Sequence, residues 1–385
     1  SWTWCIGMFL PVLLLRDFGP WAILVFAVPN MAGAALMGVV LANPQASARL
    51  VAQHSAACRL FSQVTLTFQC FFMTWLLMGL GFSMWGLIVL AAVAGVIIIT
   101  GNPLKPTPRL HATSWLIFTV SLGCMLWWLI VHKGDAPITL PTPLLAADLP
   151  WLAPVIFFGF LLCPYLDLSF HQARQSLPAR EGTIAFAVGF LILFAVMLLF
   201  TYLYASPLLY TAFRYTVRAG PQVADEPVTL HMGVQLAFTI AIHAAFLVAK
   251  PGSANPGNDR RGYGVIGGFI VGAVLAFLGF RYPGLADLSL NEVFYRCFMA
   301  FYGLVFPAYV WLCIIPTRDG KSGPTRPRLA VLAVALALAA PMFWMGFIER
   351  ETWWLAPGLG VVLLARLSVR PVEGGLTQRR SARSE

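Results

Sequence analysis

Apolar stretches of about twenty residues recur along the whole chain, and they limit its fold more than any other feature. In helical form, runs of this length match the ~30 Å hydrocarbon thickness of a bilayer. Of the 385 residues, 59% are hydrophobic and 10% are charged, whereas soluble domains carry about 25% charged residues. The sequence therefore predicts an all-α polytopic membrane protein.

The apolar runs predict about twelve transmembrane helices in a single domain over residues 1–368, followed by a basic, disordered tail at 369–385. The predicted spans are residues 2–15, 18–41, 60–79, 82–100, 111–131, 151–170, 184–205, 229–249, 263–280, 293–315, 329–348 and 352–366. Most of the 25 Lys and Arg residues fall in one alternating set of connections and in the tail. The positive-inside rule then predicts a multi-pass protein of the inner membrane with a cytoplasmic C-terminus.

Composition and motifs argue against several other classes. The net charge of +10 is scattered through short loops, which does not indicate a nucleic-acid partner. Seven cysteines without a CxxC pair indicate neither a disulfide framework nor a zinc site, so no metal is predicted. The chain also lacks the P-loop, HExxH and GxSxG motifs, which weakens an enzyme interpretation.

The sixth predicted span is interrupted in its apolar run by Gly159 and Pro164, with Asp167 and His171 just beyond. Proline removes a backbone donor and kinks or breaks a helix. In lipid, the freed backbone groups must find partners in protein or in a water-filled cavity. Asp167 and His171, four residues apart, either pair with each other at the membrane end or belong to a functional site.

Two other spans carry polar stripes. In span eight a polar residue recurs every fourth position and lies on one helical face; this stripe either packs in the core or lines a solute or ion path. In span three the spacing favours hydrogen bonding between helices. The span-eight stripe is His231, Gln235, Thr239 and His243, and the span-three residues are Ser62, Thr65 and Gln69. Glu292 and Arg296, at the predicted outer end of span ten, have the spacing of an ion pair.

Spans one and six share an arrangement of glycine followed by proline, Gly7 to Pro11 and Gly159 to Pro164, and the predicted topology runs them in opposite directions. Interrupted helices at matching positions of two halves indicate an inverted-repeat transporter. The predicted repeats cover about residues 1–131 and 151–315, with extra helices at 329–366.

Several short segments resemble the five-plus-five inverted-repeat transporters of the amino acid–polyamine–cation superfamily, most closely the sodium/solute symporters. Residues 2–11, 17–21 and 33–35 are similar to that family's first core helix, loop and second helix. Arg59-Leu60-Phe61 is similar to the entry of its third helix, and residues 165–182 to its sixth helix and the following basic loop.

This resemblance implies a substrate site between the broken first and sixth helices and a sodium site between the first and eighth. The substrate-binding residues it implies are Gly7, Pro11, Gln69, Gly159, Pro164 and Asp167. The family has adjacent hydroxyl residues at the sodium site, whereas this chain has Thr239 with His243 one turn on. Histidine exchanges a proton near neutral pH, so Thr239, His243 and His171 are predicted to couple transport to Na⁺ or H⁺.

The sequence thus predicts a secondary transporter that moves a small solute across the cytoplasmic membrane by alternating access. Its expected partners are that solute and membrane lipids, and its expected cofactors are none beyond a coupling ion. One alternative is a membrane enzyme that acts on a lipid-linked substrate with Asp167 and His171 as acid and base. Another is a membrane sensor or scaffold that keeps the fold without transport.

Overall fold

The computed structural model describes residues 2–79, 108–133, 143, 145–214, 226–248, 261–317 and 322–381. Within these ranges the chain is helical and contains no strand. The α-helices are α1 (Trp2–Gly7), α2 (Leu10–Phe18), α3 (Trp21–Val40), α4 (Pro44–Gln53), α5 (Ser55–Gly79), α6 (Pro108–Val131), α7 (Leu149–Leu162), α8 (Leu168–Gln175), α9 (Ala179–Val188), α10 (Phe194–Arg214), α11 (Glu226–Val248), α12 (Arg261–Arg281), α13 (Leu290–Ala300), α14 (Phe306–Tyr309), α15 (Arg326–Phe347) and α16 (Leu355–Ser381). Short 3₁₀ segments cover Ala146–Asp148, Cys163–Leu166 and Thr352–Trp354, and π-helical segments cover Gly189–Leu193, Phe301–Val305 and Val310–Ile314.

Nine helical segments of the described chain are long and apolar enough to cross a membrane. They are Trp21–Val40, Leu110–Val131, Ala146–Leu166, Ala179–Ala205, Glu226–Val248, Tyr263–Arg281, Leu290–Ile314, Arg326–Phe347 and Thr352–Val369. The protein is therefore an all-α polytopic membrane protein, as predicted. A large part of its surface is apolar, for example Trp115 and Leu116 on α6, which are 60% and 62% exposed, as expected for side chains in contact with lipid.

The predicted number of twelve spans is not confirmed, and three spans account for the difference. The first, residues 2–15, is divided between the short helices α1 and α2. The third is a 25-residue helix, α5, whose polar residues make it less apolar than the nine. The fourth, residues 82–100, lies outside the described residues. At the other end, α16 continues to Ser381, through most of the segment predicted to be a disordered tail from residue 369.

The helices pack closely where small residues permit. α3 lies against α7, α5 runs along α12, α11 contacts both α5 and α6, and α15 pairs with α16. At the α3–α7 contact, a Cβ atom on Gly33 would collide with the backbone carbonyl of Phe160. Only a residue without a side chain allows this approach. The tight contact holds α3 beside the sixth predicted span.

Candidate functional site

The first predicted span is broken in its middle. α1 ends at Gly7 and α2 begins at Leu10, with Pro11 in its first turn, where a missing N–H costs nothing. The carbonyl oxygens freed at the break accept hydrogen bonds from α10. The Thr201 hydroxyl donates to the Gly7 oxygen at 3.0 Å, and the Tyr204 hydroxyl donates to the Met8 oxygen at 2.7 Å. The break therefore lies in a protein interior that satisfies its backbone, as a break within a bilayer requires.

The sixth predicted span is broken in the same way. α7 ends at Leu162, a 3₁₀ turn over Cys163–Leu166 contains Pro164, and Asp167 is extended before α8. One oxygen of Asp167 caps α8: Oδ1 accepts from the backbone N–H and from the hydroxyl of Ser169, both at 2.7 Å. Its other oxygen, Oδ2, is buried without a hydrogen-bond partner among the described residues. The carboxylate thus has one oxygen free for another group.

His171 does not pair with Asp167, although the two share α8. Its Nε2 lies 2.9 Å from the backbone oxygen of Tyr165, and its Nδ1 lies 2.8 Å from the hydroxyl of Ser47 on α4. Because a carbonyl only accepts, Nε2 must carry the proton and Nδ1 must accept from Ser47. Both ring nitrogens are therefore engaged, and His171 ties α4 to the break rather than facing Asp167.

The polar stripe of the eighth predicted span is fully buried on α11, but its members differ in their partners. The Thr239 hydroxyl lies 2.9 Å from the Cys5 sulfur of α1, and the Gln235 amide donates to Ser121 of α6 at 2.9 Å. The ring nitrogens of His231 and His243 have no hydrogen-bond partner in the described part of the chain. The middle of the stripe is thus hydrogen-bonded to neighbouring helices, whereas His231 contacts the rings of Phe200 and Tyr204 on α10 without a hydrogen bond to any described residue.

The polar residues of α5 face the same interior. The Thr65 hydroxyl lies 2.9 Å from the Tyr302 hydroxyl, and the Gln69 amide donates to the Cys5 sulfur at 3.5 Å. The Ser62 hydroxyl and the Gln69 Oε1 are buried, and neither has a partner within the described ranges. α5 therefore makes the predicted hydrogen bonds between helices and keeps two further oxygen atoms unused.

A group of four charged side chains, here called the ion cluster, joins α2 to α13. Arg16 contacts Asp17 at 2.7 Å and Glu292 at 2.6 Å, and Arg296 contacts the same two carboxylates at 2.6 and 2.8 Å. Arg296 also donates to the backbone oxygen of Phe347 at the end of α15. The i, i+4 pair predicted in span ten is present, and the structure adds Arg16 and Asp17 of α2, which follow the first predicted span.

Two cavities lie on opposite sides of the breaks. The first, here called the ion-pair cavity, has a volume of about 80 Å³ and lies between α2, α7, α13 and the end of α15. Asp17 and Arg296 of the ion cluster are at its edge, and most of its wall is apolar. Its lining includes Leu10, Leu14, Ile156, Gly159, Tyr295, Tyr302 and Phe347.

The second, here called the aromatic cavity, is larger, at about 310 Å³, and lies between α1, α6, α8, α9 and α11. It is lined by Trp4, Ser114, Ile117, Phe118, Ser169, Phe170, Ala173, Leu177, Ala185, Phe186, Gly189, Phe190, Gln235 and Phe238. None of these lining residues, all from the described chain, carries a formal charge. Ser114, Ala173 and Ala185 are exposed, so the cavity opens at these positions.

The two breaks separate the cavities. The halves α2 and α7 line the ion-pair cavity, whereas the halves α1 and α8 line the aromatic cavity. A π-helical segment also contributes to each wall, with Tyr302 and Gly303 at the first and Gly189 and Phe190 at the second. Such π segments are frequent at functional sites. Each broken helix thus presents one half to each side of a central, buried polar region.

The predicted site residues are distributed unevenly over this geometry. Of the substrate residues, Gly159 lines the ion-pair cavity, where a Cβ atom would lie 2.5 Å from the Tyr302 oxygen. Gly7, Pro11, Gln69, Pro164 and Asp167 line neither cavity and surround the two breaks instead. Of the coupling residues, Thr239 and His243 are buried on α11, and His171 contacts α4. The structure therefore places most of them in the region between the cavities.

Sequence reasoning missed the walls of the aromatic cavity. Trp4, Phe118, Phe170 and Phe190 look like ordinary packing residues because aromatic side chains are abundant throughout the chain, at 14%. Their only signal is indirect: Trp4 and Phe170 belong to the two predicted broken spans. The link of Arg16 to Glu292 was also missed, since 276 positions separate them.

The seven cysteines are free; six are buried and Cys297 is half-buried. In the described ranges no group of three or more His, Cys, Asp or Glu side chains is arranged to hold a metal ion. Among the buried oxygen atoms without a hydrogen-bond partner in those ranges, the ones on Ser62, Gln69 and Asp167 belong to predicted polar or site residues of spans three and six.

Comparisons with known proteins leave the geometry as the basis for function. No protein-family model, no curated protein and no solved structure matches this chain.

Proposed function

We propose that this protein is a secondary transporter that moves a small solute across the membrane by alternating access. The observation that carries the proposal is the pair of broken helices whose halves line two cavities on opposite sides of the breaks. Alternating access needs a central site that opens to one side or the other, and broken helices at mid-membrane are the usual means of building it.

The difference between the two sides supports the same proposal. At one end, the ion cluster ties α2 to α13 and α15 through buried charges. At the other end, the larger aromatic cavity opens at Ser114 and Ala173. A transporter has such an asymmetric form in each of its end states. The positive-inside prediction makes this form closed to the outside and open to the cytoplasm.

The predicted inverted repeat and the resemblance to the sodium/solute symporters agree with this proposal. α1–α2 and α7–α8 are broken at the glycine-to-proline segments by which the two predicted halves were matched. The coupling ion, Na⁺ or H⁺, and the location in the inner membrane are parts of the proposal. The enzyme alternative loses its main support, because Asp167 and His171 bind other partners.

Distance measurements between spin labels test alternating access without knowledge of the solute. One label pair, at Trp21 and Asp287, reports on the ion-cluster end, and another, at Ala112 and Ala185, reports on the aromatic end; all four positions are exposed. Glu292→Gln removes one charge from the ion cluster. We expect the first distance to lengthen and the second to shorten in this variant. Unchanged distances at both ends, or changes confined to one end, would contradict alternating access.

Uptake into proteoliposomes tests transport itself, with a panel of labelled sugars, amino acids and nucleobases under an imposed Na⁺ or H⁺ gradient. Ala173→Phe places a ring at the mouth of the aromatic cavity and should abolish uptake of whichever solute the wild type accumulates. Ala112→Phe, an equal change at an exposed site of α6 outside the cavity wall, is the matched control. Uptake that survives Ala173→Phe would exclude this cavity from the path. A folded protein that moves between the two forms without accumulating any solute of the panel would favour the sensor alternative.

A further inference from the structure

The carboxylate of Asp167 lacks a counter-charge in the described part of the chain. Its side chain is fully buried and its Oδ2 has no hydrogen-bond partner there. No lysine or arginine forms an ion pair with it within those ranges; the described ion pairs lie in the ion cluster and at Arg350. A buried charge is unfavourable unless another charge or polar group compensates it. The free oxygen therefore points to a bound partner.

The groups on other helices that respond to the charge of Asp167 include two thiols, an imidazole and a phenol. Its charge acts on Cys5 from α1, Cys58 from α5, His243 from α11 and Tyr302 from the π segment after α13.

On α8 itself, both ring nitrogens of His171 are already engaged in hydrogen bonds. The neighbouring Arg174 donates to backbone oxygens at the end of α3 and after α8. None of these groups forms an ion pair with Asp167 in the described part of the chain.

Other buried polar atoms without partners lie in the same region. The Ser62 hydroxyl lies on the α5 face between Cys58 and Thr65, and the Gln69 Oε1 follows on that face beside Cys5. α8, which Asp167 caps, packs against both α5 and α11, and the 3₁₀ turn before Asp167 also contacts α5. The ring of His243 adds two nitrogens without partners from α11. Carboxylate, hydroxyl and amide oxygens together form a donor set that hard cations prefer.

We propose that Asp167, Ser62, Gln69 and His243 form a binding site for a small monovalent cation between α5, α8 and α11. The charge argues for a monovalent ion, because a single carboxylate faces the region among the described residues, and a divalent ion would leave a net positive charge within the membrane. The role of this cation as the coupling ion rests on the proposed function, whereas its binding does not.

This site differs from the one that the family resemblance implies, between spans one and eight. The carbonyl oxygens of Gly7 and Met8 accept hydrogen bonds from α10, and the Thr239 hydroxyl donates to backbone oxygens of its own helix. Those atoms thus already take part in hydrogen bonds, whereas Asp167 Oδ2, the Ser62 hydroxyl and Gln69 Oε1 make none among the described residues. The unpartnered oxygens lie on α5 and at the break before α8.

Thermal unfolding of the full chain in lipid nanodiscs tests the site. At constant ionic strength, choline chloride is replaced by LiCl, NaCl, KCl or NH₄Cl in turn. A ligand that binds the folded state raises the melting temperature, so we expect a saturating rise on the order of a few degrees with at least one of these salts. A rise with an alkali salt identifies a metal cation, and a rise with NH₄Cl alone identifies an ammonium group, such as that of a protonated amine.

Asp167→Asn should abolish the rise, and because asparagine is also a good helix cap, the variant should still fold. Glu181→Gln, the same change at an exposed position of α9, should retain the full rise. Ser62→Ala and Gln69→Leu keep the carboxylate, and each should weaken the apparent affinity for the cation about tenfold. If Asp167→Asn does not fold, these two variants provide the test instead. The proposal is overturned if no monovalent salt raises the melting temperature above choline, if Asp167→Asn keeps the rise, or if Mg²⁺ or Ca²⁺ gives a larger one. None of these results depends on transport.

Discussion

The two ends of this molecule are held together by different chemistry. At the ion-cluster end, two arginines and two carboxylates contact one another within 2.6–2.8 Å beside a cavity of about 80 Å³. At the aromatic end, neutral hydrogen bonds such as Ser47–His171 and a buried arginine bound to carbonyl oxygens join the helices, beside a cavity of about 310 Å³.

This difference predicts which end loses more stability when one of its residues is substituted. Closely paired, buried charges are strongly interdependent, because the loss of one member leaves another uncompensated. Neutral hydrogen bonds and aromatic contacts break one at a time at smaller cost. We therefore expect substitutions at the ion-cluster end to have larger effects than substitutions at the aromatic end, and the following predictions test that order.

The largest effect is expected for Glu292→Ala. Glu292 is 2% exposed and contacts both Arg16 and Arg296, so its loss leaves two guanidinium groups with one shared carboxylate. The free energy of unfolding should fall by about 3–5 kcal/mol, measured by denaturant unfolding in detergent. Asp287→Asn is the control, since its 97% exposed side chain lies 3.8 Å from Arg350 and asparagine tolerates the left-handed backbone at this position, φ 61°; its effect should stay within about 0.5 kcal/mol. Equal effects of the two substitutions would mean that the ion cluster is not a structural unit.

Next in size is Arg174→Ala at the aromatic end. After α3, the buried guanidinium donates to the carbonyl oxygens of Leu41, at 2.7 Å, and of Ala42. After α8, it donates to the carbonyl oxygen of Leu177. Without it these oxygens lose a charged donor, so the free energy of unfolding should fall by about 2–3 kcal/mol. The exposed Arg180→Ala serves as the control and should have little effect. A larger loss for Arg174→Ala than for Glu292→Ala would reverse the expected order of the two ends.

A third prediction concerns the packing that keeps the ion-pair cavity small. In Gly159→Ala the new Cβ would lie 2.5 Å from the backbone oxygen of Tyr302, and a backbone atom cannot rotate away. Overpacking of this kind should lower the free energy of unfolding by about 1–3 kcal/mol. Gly123→Ala on α6, where nothing lies within 4 Å of the Cβ position, should instead stabilise the helix by about 0.5–1 kcal/mol. Effects of the same sign at both positions would argue against a close approach at Gly159.

Structural features that depend on neighbouring residues could be predicted from the sequence, whereas features that depend on contacts between distant residues could not. The breaks were predictable because Gly7 with Pro11, and Gly159 with Pro164, act through local backbone chemistry. The buried polar stripe of α11 was predictable from its helical period. The number of spans is not confirmed, because α5, predicted as span three, is long enough to cross a membrane but less apolar than the nine other segments.

The missed features arise from tertiary contacts. Nothing near Arg16 in the sequence indicates Glu292 as its partner. Helical spacing allows His171 to pair with Asp167 but says nothing about Ser47 on a separate helix, which is the actual partner of its Nδ1. The same limit applies to the aromatic cavity, whose wall combines side chains of five helices. Local rules located the central polar region, but only packing shows which of its atoms are already bonded.

The smallest effect is expected from pH at the aromatic end, through His54 in the connection between α4 and α5. His54 is buried, its Nδ1 lies 2.9 Å from the Tyr309 hydroxyl, and burial, together with the positive charge of Arg328, lowers its pKa below the usual 6.5. The unfolded chain therefore binds a proton more readily than the folded protein, so the stability that neutral His54 contributes is lost as the pH falls below about 6.5. As the pH is lowered from about 7.5 to about 5, the melting temperature of the wild type should fall. The fall should be smaller in His54→Gln. If the melting temperature falls equally with pH in wild type and in His54→Gln, protonation of His54 does not cause the pH response.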